Sequence, residues 1–194
     1  MKRLLKSSSQ PYRIKVMTVS AVRSPVQIRP VRESDAPLFR NWRGEPSIRR
    51  FQPLRDLPLS QIRNDIATQS IDDLYRSRGD RFQWVIEVDD RAAGWITLVV
   101  GNWEHGLCET GFALSTAFQG QGVMTHALTL LLPELFLRST LERVEARCAV
   151  RNQASRRVLE KVGFRKEGVL RGYFLLRGKR VDHYLYALLR DDYL

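Results

Sequence analysis

The residues able to do chemistry in this 194-residue chain gather around two short stretches. The first is FQGQGVMTHAL, Phe118 to Leu128. Gly120 and Gly122 lie between a run that reads as a strand and one that reads as an apolar helix, so the stretch is a strand-to-helix turn. Backbone N–H groups at a helix N-terminus have no intrahelical acceptor, and with the helix dipole they can hold an anion such as a phosphate. The dinucleotide fingerprint is excluded because Thr125 stands at its third glycine position, and the P-loop because no Gly-Lys-Ser/Thr follows. Taken alone, the turn reads more readily as an ordinary loop. The second stretch is NQASRRVLEKVGF, Asn152 to Phe164. Asn152 reads as a helix N-cap and Gly163 as the C′ residue, with the Ser155 hydroxyl in the first turn. Capping by itself accounts for Asn152.

Acid–base chemistry needs a carboxylate or imidazole within reach of the reacting proton. Glu109, two residues before Gly111 in LCETGFALS, is the first candidate for a general base, and Glu87 on a neighbouring strand the second. The competing reading of each is a solvated or ion-paired strand residue. His105 falls in a loop, His126 follows the glycine turn and His183 lies in the last strand. No His/Cys/carboxylate grouping has metal-ligand spacing, so no metal is expected. Cys108 and Cys148 are forty residues apart. They fit a reducing compartment, and cytoplasm is the simplest expectation.

The elements that must position these residues follow from periodicity. VQIRPV reads as a strand opening the folded body near Pro25. ESDAPLFRNW reads as a helix capped by Ser34 or Asp35, and EPSIRRF as a helical turn. PLSQIRNDIATQSIDDLYRSRGD reads as one helix capped by Ser60 and ended by Gly79. RFQWVIEVDD, AAGWITLVVGNW and LCETGFALS alternate as three antiparallel strands. A helix then runs from the glycine turn to about Arg138, with a bend expected at Pro133. LERVEARCAV is a strand, NQASRRVLEKVGF a helix, and FRKEGVLRGYFL and DHYLYALLR two closing strands about an Arg177–Lys179 turn. This order describes an α+β protein with a mixed central sheet. Trp42, Trp84, Trp95 and Trp103 are expected mostly in the core rather than in a binding groove.

The net charge of +11 is uneven: residues 1–27 carry six Lys/Arg and no acid. Residues 1–25 are read as a basic, flexible N-terminal extension and 26–194 as one domain. The extension faintly resembles an organelle transit peptide, and an internal start at Met17 is an equal reading. No apolar run reaches the length of a membrane span.

The two chemical stretches, in this order and about thirty residues apart, resemble the GCN5-related N-acetyltransferase (GNAT) superfamily. Gln119-Gly120-Gln121-Gly122-Val123-Met124 is similar to its acetyl-CoA signature, Gln/Arg-x-x-Gly-x-Gly/Ala, except that Met124 stands where Gly or Ala is usual. NQAS, VLEKVGF followed by EG, the late Asp182…Tyr186-Ala187-Leu188 and the opening IRPVRESDAPLF resemble the RimJ/RimL branch of ribosomal-protein acetyltransferases. The resemblance covers residues 26–192. It implies the GNAT fold: a mixed, mostly antiparallel sheet of about seven strands flanked by helices and splayed between strands 4 and 5.

It also implies acetyl-CoA as cosubstrate and direct attack by a primary amine in a ternary complex. In that reading Gln119, Gly120, Gln121, Gly122, Val123 and Met124 cradle the coenzyme pyrophosphate, and Thr125 adds a hydroxyl. Phe112, Ala113 and Leu114 pair with the pantetheine arm, and one of their N–H groups polarises the thioester carbonyl. Asn152 contacts the arm, Ser155 protonates the departing thiolate, and Lys161 approaches the phosphate end. A Tyr is common in the superfamily at the position of Leu159, which cannot serve as a proton donor. Tyr173 and Phe174 border the acceptor site. The implied acceptor is a protein N-terminal α-amine, with a polyamine or aminoglycoside as alternatives, and a non-catalytic acyl-CoA sensor as the rival from another class. Ribosome contact through the basic extension, and a monomer or homodimer, complete the expected partners.

Overall fold

A computed structural model describes residues 25–194, so the basic extension, apart from Pro25, lies outside the described residues. The chain forms β1 (Val26–Pro30), α1 (Ala36–Gly44), α2 (Pro46–Arg49), α3 (Leu59–Ala67), α4 (Ile71–Tyr75), β2 (Arg81–Val88), β3 (Arg91–Asn102) and β4 (Leu107–Leu114). There follow α5 (Val123–Arg138), β5 (Arg143–Ala149), α6 (Gln153–Lys161), β6 (Arg165–Leu176), β7 (Lys179–Leu189) and α7 (Arg190–Tyr193). The strands make one seven-stranded sheet in the order β1-β2-β3-β4-β5-β7-β6. Every pairing is antiparallel except β4 with β5.

Alternation along β2 and β3 sends two sets of side chains to two faces. Phe82, Ile86, Ile96 and Leu98 pack with Leu128, Leu131, Leu132 and Leu135 of α5. On the opposite face Val85, Trp95 and Ala113 meet Phe39 and Trp42 of α1 and Ile62 and Ile66 of α3. Trp42 stacks on Trp95 with ring centroids 5.7 Å apart, and Phe39 meets Trp42 edge-on at 5.5 Å. Trp42, Trp84 and Trp95 are thus core residues. Trp103 is half-buried, and its indole N–H donates to Gly79 C=O at 2.7 Å.

Two local expectations are corrected. The helix read over residues 58–79 is two helices, α3 and α4, and Pro58 rather than Ser60 occupies the first N-cap. The apolar stripe could not reveal the break at Thr68–Ser70, because Ile62, Ile66 and Leu74 are buried on either side of it. Asp35 occupies the N-cap of α1, yet its carboxylate makes no cap hydrogen bond there. It accepts instead from the Arg32 N–H (2.8 Å) and from the fork of Arg29 (2.7 and 2.9 Å). The helix read from the glycine turn to about Arg138 is present as α5, with Pro133 inside it.

Candidate active site

The parallel pair β4/β5 builds the site by failing to stay paired. Leu107↔Arg143, Cys108↔Val144 and Glu109↔Glu145 are in register, and no further pair follows. From Thr110 onward β4 stays bonded to β3, and from Ala146 onward β5 stays bonded to β7. A slot therefore opens toward the C-terminal ends of both strands. Backbone groups of successive strand residues alternate between the two edges. Ser115 N–H donates toward β3, to Ala93 C=O at 2.8 Å. The alternation then turns the backbone groups of Phe112 and Leu114 into the slot. Both carbonyls carry side-chain amide donors: Gln52 Nε2 on Phe112 O (2.9 Å) and Gln119 Nε2 on Leu114 O (2.8 Å).

β4 leads into the glycine turn. Gly120 and Gly122 have φ of 75° and 78°, the left-handed region that side chains with a Cβ avoid. A Cβ on Gly120 would meet nothing within 4 Å, so the turn's surface is open. The first satisfied N–H after the turn is that of His126, on Gly122 C=O at 3.0 Å. The N–H groups from Gly120 to Thr125 have no hydrogen-bond acceptor among the described residues, an arrangement suited to an anion. The two glutamine side chains hold the turn rather than cover it, Gln121 through its amide on Ala117 C=O at 2.9 Å. Val123, Met124 and Thr125 are buried, with Val123 and Met124 in the core under α5. Burial explains how a bulky Met124 is accommodated at a position where a small residue is usual: its side chain points into the protein, away from the open face of the turn. The Thr125 side chain is likewise turned inward.

β5 leads into α6. Asn152 Oδ1 accepts the Ser155 N–H at 3.2 Å, a side-chain N-cap. Ser155 stands in the first turn, near the thiol of Cys148, which lies on the parted half of β5. Burial pushes that thiol up to about 11, against the opposing influence of Arg156 and of the Ser155 hydroxyl. Burial, with Glu145 and Glu109 nearby, pushes Cys108 up as well. Leu159 is fully buried. Lys161 is exposed in the last turn of α6, about 13 Å along the axis from Asn152 at 1.5 Å per residue.

Glu109 occupies the last paired position before the slot, and its carboxylate is ion-paired with Arg147 of β5. Arg147 also reaches Glu145 at 3.3 Å and lies 5.4 Å over the ring of Tyr173. Glu87 is on the far side of the sheet, bound to Arg29 at 2.8 Å, and the structure does not bring it to the slot. His183 is buried against Tyr173 and Phe174, with Nδ1 3.0 Å from Val181 C=O. His105 is exposed in the β3–β4 turn.

Three contributors went unseen in the sequence. Glu45, between α1 and α2, accepts from Ser115 Oγ (2.7 Å) and from the N–H and Oγ1 of Thr116 (both 3.0 Å), tying the α1–α2 corner to the entry of the glycine turn. Burial works to raise its carboxyl, but these Ser115 and Thr116 donors hold it below the usual range. Gln52 is the second. Gly94 of β3, paired with Leu114, is the third: a Cβ there would lie 2.2 Å from Ala113 O. These contacts span up to about seventy residues of chain, and no local pattern marks them.

Comparison with known proteins shows the family and the fold. The family model for the acetyltransferase (GNAT) domain matches residues 26–165. The chain is 25% identical to the [ribosomal protein uS5]-alanine N-acetyltransferase of Escherichia coli, over 94% of this chain and 96% of that one. It is 25% identical to the E. coli spermidine N(1)-acetyltransferase, over 84% and 79%. The solved structure of Mycobacterium smegmatis RimJ in complex with a CoA-disulfide superposes with a TM-score of 0.73 at 27% identity, covering 86% of this chain and 83% of that one.

Proposed function

The chain belongs to the GNAT acetyltransferase family and is an acetyl-CoA-dependent N-acetyltransferase, and we propose that its acceptor is the N-terminal α-amine of a protein, of the ribosomal-protein type. The observation that carries the coenzyme half of this reading is the run of unsatisfied N–H groups from Gly120 to Thr125 beside a slot whose edge exposes Phe112 and Leu114. The acceptor half rests on the relative that acetylates the alanine of uS5. A spermidine acetyltransferase of equal identity keeps a polyamine as the competing reading.

In the proposed mechanism the backbone of Gly120–Thr125 holds the pyrophosphate, while Gln119 and Gln121 brace the turn. Phe112 and Leu114 offer the strand edge to the pantetheine amides, whose arrival displaces the glutamine donors now on their carbonyls, while the backbone of Ala113 between them faces β3. The Phe112 or Leu114 N–H stabilises the oxygen that becomes negative as the amine attacks. Asn152 borders the arm while capping α6, and the Ser155 hydroxyl donates a proton to the departing sulfur as it takes one from the solvent that enters the slot's open end, so that the hydroxyl is restored. Glu109 is the proton acceptor in this scheme, and it must release Arg147 to act. Lys161 serves the phosphate end. Residues 26–194 form the catalytic domain, with residues 1–25 as an extension to it.

Calorimetric titration with acetyl-CoA tests the cradle. The wild-type chain binds, and Gly122→Glu, which sets a carboxylate at the turn and forces a Cβ into φ of 78°, binds at least about 100-fold more weakly. Equal binding by the two proteins would overturn the cradle. Binding without turnover on any amine would favour the acyl-CoA sensor.

A further inference from the structure

Charge in the described part of the chain is concentrated. Residues 151–180 hold ten Lys/Arg against two Glu, whereas residues 26–150 are close to balance, fifteen against sixteen. Four of these ten cations fall in the distal part of the β6–β7 hairpin. β4 and β5 run parallel and separate after Glu109 and Glu145, so the slot opens at their C-terminal ends. β7 runs antiparallel to β5 and is last paired with it at Ala149↔His183. The β6–β7 hairpin continues past that point and projects beyond the slot's open end, about 13 Å from His183 to Lys179 at strand rise.

Its tip is Leu176-Arg177-Gly178-Lys179, a two-residue turn with φ of 50° and 76° at the central pair. Arg171, Arg177, Lys179 and Arg180 are exposed there, and no carboxylate occurs between Gly168 and Val181. None of the four is ion-paired among the described residues, and Arg180 donates only to Gly172 C=O at 3.2 Å. Asp182 is occupied internally, accepting the Gly172 N–H at 2.6 Å. The base of the hairpin is fixed by Tyr173 and Phe174 against buried His183, so the cations are carried on a firm support.

We propose that the β6–β7 hairpin tip is a docking surface for an acidic segment of the acceptor protein, downstream of the amine that is acetylated. This rests on the protein-acceptor reading above. A polypeptide leaving the slot passes the hairpin, and at about 3.4 Å per extended residue the cations meet it from roughly its fifth residue onward. Four exposed cations match a short acidic run. A nucleic-acid footprint in the range of six to ten phosphate contacts would need more than they supply. The same charges repel a polycationic acceptor, so they act as a filter against polyamines.

The test uses the full chain with CoA bound and three fluorescent peptides. All begin with the same four residues, and residues five to eight are four Glu, four Gln or four Lys. Anisotropy gives the affinity, and acetyl transfer is read in parallel. The Glu peptide binds about tenfold tighter than the Gln peptide at low salt, the worth of a few exposed ion pairs, and the gain shrinks at 0.5 M salt. In Arg171→Glu/Arg177→Asn/Lys179→Glu the gain disappears while affinity for acetyl-CoA is unchanged. Asn at position 177 respects the positive φ of the turn. Equal affinity for Glu and Gln peptides would overturn the proposal. So would a preference for Glu that survives in the triple variant, or stronger binding to a single-stranded RNA of equal charge. Failure of the acceptor reading shows separately, as tail-dependent binding without acetyl transfer to the peptide.

Discussion

Ser155 and Glu45 show how much a single hydrogen bond contributes at different places in the same site. Ser155→Ala leaves the Asn152 cap in place, since the cap uses the Ser155 backbone N–H. Its expected effect is unchanged acetyl-CoA affinity with kcat lowered about 100-fold, the scale of one general acid. Stopped-flow binding beside steady-state turnover separates the two, and unchanged kcat removes the assigned role. Glu45→Gln loses an acceptor that serves three donors, so stability falls by about 1–2 kcal/mol. The pH dependence has a definite sign. The folded state holds the Glu45 carboxyl below its unfolded value, so the stabilisation is fully present above the ordinary Glu range near ~4.3 and fades as pH falls through the lowered folded value. The difference in denaturation midpoint between wild type and Glu45→Gln is therefore widest at neutral pH and closes in acid. A gap that widened on acidification would contradict the assignment. Gln52 reaches the slot from the loop after α2, and because pantetheine must displace its amide from Phe112 C=O, Gln52→Ala is expected to bind acetyl-CoA at least as tightly as wild type, read by calorimetry.

At the scale of elements, the slot depends on where pairing stops. β4 is held by β3 up to Gly94↔Leu114, and Gly94 is bare because Ala113 O occupies the space a Cβ would need. Gly94→Ala pushes the end of β4 away from β3, with a cost of about 3 kcal/mol at the upper end of overpacking. It also displaces the Phe112–Leu114 edge, so thermal melting and acetyl-CoA affinity both fall. A melting loss with wild-type affinity would show that the edge is not set by this contact. Much of this architecture is legible in the sequence. Alternation in RFQWVIEV and AAGWITLV gives the two-faced sheet, and the glycine turn and the Asn152 cap give the two helix starts flanking the slot. What stays hidden is contact between distant segments. Glu45 with Thr116, Gln52 with Phe112 and Glu109 with Arg147 follow no local period, and the helix break at residues 68–70 falls between two stretches of one apolar stripe.

At the scale of the molecule, one end of the sheet gathers the functional parts. The C-terminal ends of the parallel pair bring together the glycine turn, the first turn of α6, the α1–α2 corner and the cationic β6–β7 hairpin. The two cores on either face hold this end from below, so the slot is carried by a rigid frame and not by loops alone. No helix among the described residues is long and apolar enough to cross a membrane. The central claim is that this end transfers acetyl from acetyl-CoA to a protein N-terminal amine. The most direct test incubates the full chain with acetyl-CoA and, in separate reactions, peptides beginning with Ala, Ser or Met, an N-terminally blocked peptide containing lysine, and spermidine. Mass spectrometry then locates the acetyl group. The account predicts CoA release with acetyl on the peptide α-amine, and little or none on the blocked peptide or on spermidine. Acetyl found on spermidine with free peptide N-termini untouched, or no transfer to any of these acceptors, would contradict it.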